Sequence, residues 1–151
     1  MQKRPLLWFF VLTFAITWGL AALFFAFPGI VTRVAGPISA ANPLFILAVW
    51  GPNLAALIVT AVIGGGAGVL ALLQRVVRFR VGLLWYLRAL FLVPAAGILS
   101  RLATGQPVAL ATVPGMGMGA TLGMLVLTGT LGEEVGWRGF ALPRLLEKMS
   151  P

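Results

Sequence analysis

Long runs of apolar residues, separated by short polar or glycine- and proline-rich segments, dominate this chain. The first run, 6–27, follows Lys3 and Arg4 and contains no charged residue. At about 1.5 Å per helical residue it is long enough to cross a hydrocarbon core of about 30 Å. The apolar region of a signal peptide is shorter, about 7–15 residues. The pattern therefore predicts an uncleaved transmembrane helix.

Three later apolar runs predict three further spans, with loops between them at 28–43 and 101–114. The later spans are 44–63, 83–99 and 115–134. Pro52 interrupts the second span and predicts a kink, because proline removes a backbone donor and clashes with the preceding turn. The fold class we expect is all-α: a polytopic transmembrane helical bundle of about four spans, forming a single membrane-embedded domain over 1–151.

A short stretch after the second span, 69–80, differs from the spans in its polar pattern. Glycines at 64–66 separate it from the second span. One side of the helix it predicts is polar and basic, and the opposite side is apolar. The polar side holds Gln74, Arg75 and Arg78, and the apolar side holds Leu72, Leu73, Val76 and Val77. This pattern predicts a short amphipathic helix at the membrane interface.

Composition and charge agree with a protein that contacts the lipid bilayer. Apolar residues make up 60% of the chain and charged residues 9%, whereas soluble domains carry roughly 25% charged residues. The net charge of +8 lies beside the predicted spans, where basic residues orient the chain. Nucleic-acid binding is not expected, because it needs a basic face on a soluble fold.

The basic residues also predict how the spans are oriented. Three groups belong on the cytoplasmic side by the positive-inside rule. They are Lys3 with Arg4, Arg75 with Arg78 and Arg80, and Arg138 with Arg144 and Lys148. Arg33 and Arg101 fall on the opposite side. An even number of spans with both termini in the cytoplasm fits this distribution, with Trp85 and Tyr86 at an interface.

Few residue types in this chain could act in catalysis or bind a metal ion. Cysteine and histidine are absent, and the acidic residues are Glu133, Glu134 and Glu147. Acids at the end of a span are costly to place there and frequently functional. Glu134 and Arg138 stand at i,i+4 in the favourable order for an ion pair. Glu133 points about 100° away on the helix, so we expect it to be the free carboxylate. A general base and a solvated helix end both remain compatible with this spacing.

Two other features predict helix packing rather than chemistry. Gly115, Gly119 and Gly123 recur every four residues, the spacing of close contacts between membrane helices. Asn53 follows Pro52. It either lines a cavity or satisfies backbone groups freed by the kink, and we favour the second role.

The run 132–145, which reads GEEVGWRGFALPRL, resembles the first motif of the CAAX-protease and bacteriocin-processing family. These proteins are intramembrane endopeptidases related to type II CAAX prenyl proteases, and their motif is Glu-Glu-x-x-x-Arg. The trailing glycine and Leu-Pro positions are also characteristic. The run WGPNLAA at 50–56, the basic amphipathic segment and Trp85 resemble features at similar places in that family.

The resemblance implies a bacterial cell-membrane hydrolase with its active site in a membrane cavity facing the cytoplasm. Its peptide or protein substrate is cleaved by a water that Glu133 activates, alone or with a zinc ion. Glu134 and Arg138 match the remaining catalytic motif positions, and Glu133 or Glu134 would contact the zinc. The family's second and third motifs, Phe-x-x-x-His and His-x-x-x-Asn/Asp, lie on later helices. We therefore expect this stretch to be the N-terminal portion of such a protease, with no cofactor held by these residues alone.

Two other functions remain open on the sequence. A non-catalytic membrane scaffold or immunity-type protein would bind a peptide or a partner helix and would need no histidine-bearing helices. A small transporter subunit would use Glu133 as a proton carrier, and its uptake would depend on a gradient. Neither the substrate nor the oligomeric state follows from the sequence.

Overall fold

The computed structural model of the chain describes residues 3–76, 82–107 and 117–149. Every element within these ranges is helical, as predicted. The chain divides into two compact units, one formed by Met1–Val77 with Val113–Pro151 and the other by Arg78–Thr112. The α-helices are α1 (Pro5–Ala26), α2 (Pro28–Ala35), α3 (Pro43–Val49), α4 (Gly51–Val76), α5 (Leu83–Ala103), α6 (Met118–Leu125), α7 (Leu131–Glu134) and α8 (Leu142–Met149).

The first predicted span agrees with α1, but the loop expected at 28–43 is partly helical. Helix α2 begins directly at Pro28, in its first turn. Proline is well suited to that position because its fixed φ is already helical and its missing N–H has no partner there in any case. Val31 is buried on α2, which gives this short helix one anchoring contact with the rest of the unit.

The second predicted span consists of two helices rather than one kinked helix. Helix α3 ends at Trp50, whose backbone has φ −77° and ψ 0°, and α4 begins at Gly51. Pro52 therefore lies in the first turn of α4, where proline is tolerated. The expected kink is a break between helices, and Pro52 starts a helix instead of bending one.

A second break occurs inside α4, at the predicted glycine boundary. Gly65 has φ 58° and ψ −157°, a non-helical conformation that is essentially restricted to glycine. A Cβ atom on Gly68 would lie 3.2 Å from Cγ2 of Thr60. Residues eight apart in a straight helix are about 12 Å apart. The chain after Gly65 therefore folds back against the turn that contains Thr60.

By length and composition, two stretches in the described residues could cross a membrane, Pro5–Ala26 and Gly51–Arg75. The second includes the break at Gly65. In the most apolar part of each stretch, only 11% of the residues of the first and 22% of those of the second are buried. A core helix of a soluble protein would be mostly buried, so these exposed apolar surfaces suit contact with lipid. The other two predicted spans do not meet the same criterion in the described part of the chain.

Helix α5 belongs to the second unit and is longer than the predicted span 83–99. It continues to Ala103 and contains Pro94 in its interior, so the loop expected from Arg101 begins later. The guanidinium carbon of Arg88 lies 5.1 Å from the centroid of the Trp85 ring. Cation–π contact of this kind places the charge beside the ring that was expected at the interface.

The fourth predicted span does not end at Glu134. Helical structure continues from α6 through α8, and the segments Val126–Thr130 and Val135–Ala141 are π-helical. The wide turns of a π-helix are rare and occur frequently at functional sites. Here the second π-helical segment covers most of the Glu-Glu-x-x-x-Arg motif. The predicted helix start at Gly115, and the predicted basic residues Arg78 and Arg80, lie outside the described residues.

A small apolar core holds α1, α4 and the C-terminal helices together. Its aromatic centre is Phe9, whose ring stacks on Phe140 at 5.1 Å and meets Trp137 edge-on at 5.3 Å. Such pairs contribute about 0.5–1.5 kcal/mol beyond the area they bury. The buried members of the core are Leu6, Phe9, Ala55, Ala56, Val59, Leu72, Phe140 and Ala141. This core fixes the continuous helical segment 126–141, which we call the motif helix, against α1.

Candidate functional site

Asn53 connects α4 to the backbone of the motif helix. Its Nδ2 donates to the carbonyl oxygen of Leu131 at 2.6 Å, and its Oδ1 accepts from the N–H of Gly136 at 2.8 Å. The side chain is 1% exposed. Asn53 does satisfy backbone groups, as favoured from the sequence. The groups belong to the motif helix, however, and not to a kink in its own helix.

Two glycines allow the motif helix to approach the α3–α4 junction closely. A Cβ atom on Gly136 would lie 2.5 Å from the carbonyl carbon and oxygen of Pro52, and one on Gly132 would lie 2.8 Å from Cγ1 of Val49. Real Cβ atoms do not tolerate such distances. The two glycines therefore set the separation of the helices and bring Asn53 within hydrogen-bonding range.

The glycines predicted for close packing meet no neighbour among the described residues of this chain, whereas two other glycines do. Ideal Cβ positions on Gly119 and Gly123 have no described atom within 4 Å, and Gly115 lies outside the described residues. The same four-residue spacing recurs at Gly132 and Gly136, inside the motif. Glycine periodicity alone does not distinguish the two stripes, because only the neighbouring helix decides which one is covered.

Two further side chains bind the main chain of the C-terminal helices. Nε1 of Trp50 donates to the carbonyl oxygen of Leu127 at 3.1 Å, and Nη1 of Arg75 donates to that of Gly139 at 3.2 Å. Each of these side-chain donors adds a hydrogen bond to a backbone carbonyl of the C-terminal helices. Together with the Asn53 contacts, they hold the motif helix at three places along its length.

Glu134 and Arg138 form the ion pair predicted from their spacing. Nε of Arg138 lies 2.7 Å from Oε2 of Glu134, and the Arg138 side chain is 77% exposed. An exposed i,i+4 pair contributes little to stability, about 0.3–0.5 kcal/mol. The pair matters for the site because it directs the Glu134 carboxylate toward Arg138 and not toward Glu133.

Glu133 is exposed, and its side chain has one hydrogen-bond partner among the described residues. Nε1 of Trp137 donates to its Oε2 at 3.0 Å. The expectation that this carboxylate has no ion-pair partner holds within the described ranges, but the indole was not foreseen. A single indole donor orients the carboxylate and leaves its second oxygen, Oε1, without a described hydrogen bond.

The carboxylate of Glu133 borders a cavity of about 680 Å³ between α1, α3 and the motif helix. Among the described residues that line it, Glu133 is the only ionisable one. The remaining lining is mostly aromatic and aliphatic, with hydroxyls from Thr13, Thr17 and Ser39. A large apolar cavity with a few convergent polar groups is the usual form of a binding site.

Three cavity residues escaped the sequence analysis: Thr13, Thr17 and Trp137. Thr13 is 2% exposed, and its Oγ1 has no hydrogen-bond partner in the part of the chain that the structure describes. Oγ1 of Thr17 donates to the carbonyl oxygen of Ala48 at 3.0 Å. The available signal was two threonines at i,i+4 in an otherwise apolar run, since polar residues of a span face protein rather than lipid.

The cavity lies along the half of α1 that is remote from Lys3 and Arg4. Its α1 lining begins at Thr13 and continues to Phe25, near the end of the helix. At about 1.5 Å per residue, Thr13 is about 12 Å beyond Pro5. Ile38 and Ser39, in the segment after α2, line the same cavity.

The described residues do not fit a zinc site by themselves. Catalytic zinc takes three protein ligands, and no group of three His, Cys, Asp or Glu lies together in the described part of the chain. Glu134 is bound to Arg138, so one carboxylate faces the cavity.

The site thus consists of the Glu133 carboxylate, which Trp137 orients, an apolar cavity beside it, and a π-helical motif that Asn53 holds by hydrogen bonds. Searches of protein-family models, of characterised proteins and of solved structures gave no match to this chain. The function must therefore be argued from the site itself.

Proposed function

We propose that this chain is the N-terminal portion of an intramembrane endopeptidase similar to the CAAX-protease and bacteriocin-processing family, with Glu133 as its general base. The observation that carries the proposal is the position of Glu133, the one ionisable side chain among the described residues lining a cavity of about 680 Å³. The aromatic and aliphatic lining suits an extended apolar peptide. A cavity of this size is within the range that binds drug-sized ligands.

The reaction is hydrolysis of a peptide bond. The Glu133 carboxylate removes a proton from water, and the resulting hydroxide attacks the scissile carbonyl carbon. The carbon–nitrogen bond then breaks, and the proton held by Glu133 passes to the leaving amine. The products are a new carboxyl terminus and a new amino terminus. A bond from Trp137 to Oε2 leaves Oε1 of Glu133 to hold the water.

Neighbouring residues position this base and do not react. Arg138 forms an ion pair with Glu134, so the carboxylates of Glu133 and Glu134 do not point the same way. Asn53 fixes the π-helical turn that carries the motif. Thr13 lines the cavity with its hydroxyl buried, and rotation of its side chain about χ1 would present that hydroxyl as a donor to the carbonyl oxygen of the substrate. One such donor is worth roughly 3–4 kcal/mol of transition-state stabilisation.

The proposal includes four spans with both termini in the cytoplasm. Basic residues at both ends of the chain support that orientation. In it, Glu133 lies at the cytoplasmic end of the cavity and the aromatic lining extends into the opposite half of the bilayer. Histidine-bearing helices of the kind found in the family's second and third motifs would complete the site from outside this sequence.

The proposal is tested by mapping new protein N-termini in bacterial membranes. The full open reading frame that contains this sequence is expressed as wild type, as Glu133→Gln and as Glu147→Gln. The last variant removes the same charge at an exposed position on α8. We expect a set of new membrane-protein N-termini that is present in the wild type and in Glu147→Gln and absent in Glu133→Gln.

The possible outcomes separate the proposal from its main alternative. A set that persists unchanged in Glu133→Gln contradicts the base. If expression produces no new N-termini at all, the scaffold or immunity-type function takes precedence. Immunoblotting of equal amounts of the three proteins in the membrane is the control for expression.

A further inference from the structure

A second, smaller pocket lies farther along α4 than Pro52, which borders the Glu133 cavity, and it has a basic lining. Its volume is about 180 Å³. Arg75 on α4 and Arg144 on α8 are its charged residues among those described. The complete described lining is Thr60, Ile63, Gly64, Gly68, Ala71, Leu72, Arg75 and Arg144. No part of the proposed peptidase mechanism uses this pocket.

Backbone contacts hold the two guanidinium groups in place. Nη1 of Arg75 donates to the carbonyl oxygen of Gly139 at 3.2 Å, and Nη1 of Arg144 donates to that of Phe140 at 3.0 Å. The guanidinium carbon of Arg144 also lies 3.8 Å from the centroid of the Phe140 ring. Each guanidinium has five N–H donors, so one backbone bond leaves most of them for a ligand.

Thr60 adds a neutral donor to the same pocket. It is 7% exposed, and its Oγ1 has no hydrogen-bond partner in the described ranges. An unpaired buried hydroxyl destabilises the fold, so its retention needs a reason. The fold-back of α4 at Gly65 creates the pocket, because it brings the turn after the glycines beside Thr60.

The local charges favour an anion. Burial and the nearby charge of Arg75 lower the pKa of Arg144, and Glu147 raises it. Arg75 and Arg144 therefore repel one another across a pocket whose described lining contains no acid. Glu147, the acid that acts on Arg144, lies on α8 outside that lining. An anion between the two guanidinium groups would relieve the repulsion.

We propose that Arg75, Arg144 and Thr60 form a binding site for a phosphate group. Arginine presents a planar set of donors that matches phosphate oxygens. The buried Thr60 hydroxyl supplies a third contact once its side chain rotates about χ1 toward the pocket. The source of the phosphate is the headgroup of an anionic lipid or a free phosphate ion. The predicted cytoplasmic placement of both arginines puts the pocket at headgroup level, where basic pockets between helices bind anionic lipids.

The test measures ligand binding to the chain purified in a neutral detergent without phosphate. The first arm titrates short-chain phosphatidylglycerol, with diacylglycerol as the phosphate-free control, and counts bound lipid by native mass spectrometry. The second arm adds inorganic phosphate and measures displacement of the lipid. Saturable phosphatidylglycerol binding that phosphate displaces only in large excess identifies a lipid headgroup site. Equally strong binding of inorganic phosphate identifies a free-phosphate site.

Three variants and one control decide whether the pocket is responsible. Arg75→Gln and Arg144→Gln each remove a charged hydrogen bond and should weaken binding about tenfold or more. Thr60→Val should weaken binding while leaving thermal stability equal or higher, because it removes an unsatisfied hydroxyl. Arg33→Gln removes the same charge on α2 and should leave affinity unchanged.

The results that overturn the proposal are equally definite. Equal affinity of the wild type and of all three pocket variants would contradict it, as would equal binding of diacylglycerol and phosphatidylglycerol. A similar loss in Arg33→Gln would show that net charge, and not this pocket, holds the lipid. Since Thr60→Val keeps the fold, its loss of affinity is not attributable to unfolding.

Discussion

The side-chain amide of Asn53 lies between the carbonyl oxygen of Leu131 and the N–H of Gly136. The two distances are 2.6 Å and 2.8 Å, and the two backbone groups stand five residues apart, the spacing of a π-helical hydrogen bond. One buried side chain thus binds both sides of a wide helical turn. Glu133 and Glu134 both lie within that turn, so Asn53 determines how the acidic pair is presented.

Replacement of Asn53 should destabilise the protein strongly. Asn53→Leu keeps a similar side-chain volume but leaves two buried backbone groups unpaired, each at a cost of about 1–3 kcal/mol. Unfolding in mixed micelles with increasing denaturing detergent measures the loss. Gln74→Ala, which removes an exposed amide, should change stability by less than about 0.5 kcal/mol. If both variants were as stable as the wild type, the claim that the Asn53 hydrogen bonds stabilise the protein would be contradicted.

Gly136 and Gly123 offer a matched comparison between a covered and an uncovered glycine. Gly136→Ala places a methyl group 2.5 Å from the Pro52 carbonyl group, and the overpacking should cost about 1–3 kcal/mol. Gly123→Ala meets no described atom within 4 Å and should be neutral or stabilise the helix by up to about 1 kcal/mol. The same unfolding measurement serves both variants. A larger loss at position 123 than at 136 would contradict the docking of the motif helix.

Gly65 tests the fold-back of α4. Its φ of 58° and ψ of −157° belong to a region that is essentially closed to other residues, at a cost of about 1–3 kcal/mol. Gly65→Ala should lose stability of this order. Gly66→Ala, at a neighbouring position with no positive φ and no described atom within 4 Å, should not. If the two variants behave alike, α4 is straight at this point.

The sequence predicted those features that depend on local chemistry. Helix α1, the break at the 64–66 glycines and the Glu134–Arg138 ion pair follow from hydropathy, backbone freedom and helical spacing. The features it missed depend on which helix lies opposite. Asn53 was assigned to its own kink because its partner, the motif helix, is about 80 residues away in the chain. The packed glycines were missed for the same reason.

At the site, too, helical spacing predicted the local features, and the features that depend on packing between helices were missed. Of the adjacent acids Glu133 and Glu134, Glu133 is the one without an ion-pair partner in the described ranges, as helical spacing predicted. Its indole partner Trp137 stands at i,i+4 and was accessible to the same argument. The unpaired hydroxyl of Thr13 and the cavity it lines required α1 to be placed against α3, which no single-helix pattern specifies.

The orientation of the cavity in the membrane can be tested directly, because the chain contains no cysteine. Ser39 lines the cavity and is exposed, and Met149 is exposed on α8. We expect Ser39→Cys to react with a membrane-impermeant maleimide added to intact cells. Met149→Cys should react only after permeabilisation. Labelling of both positions from the same side would contradict the proposed placement of the cavity.

The central claim is that Glu133 activates the water that cleaves the peptide bond. The most direct measurement is a single-turnover cleavage in ¹⁸O-labelled water, using the full protein in vesicles and a substrate identified from its new N-termini. We predict one ¹⁸O atom in the new carboxyl terminus for the wild type and for Glu147→Gln, and a loss of cleavage of at least about 100-fold in Glu133→Gln. Cleavage by Glu133→Gln at the wild-type rate, with the same ¹⁸O incorporation, would contradict the account.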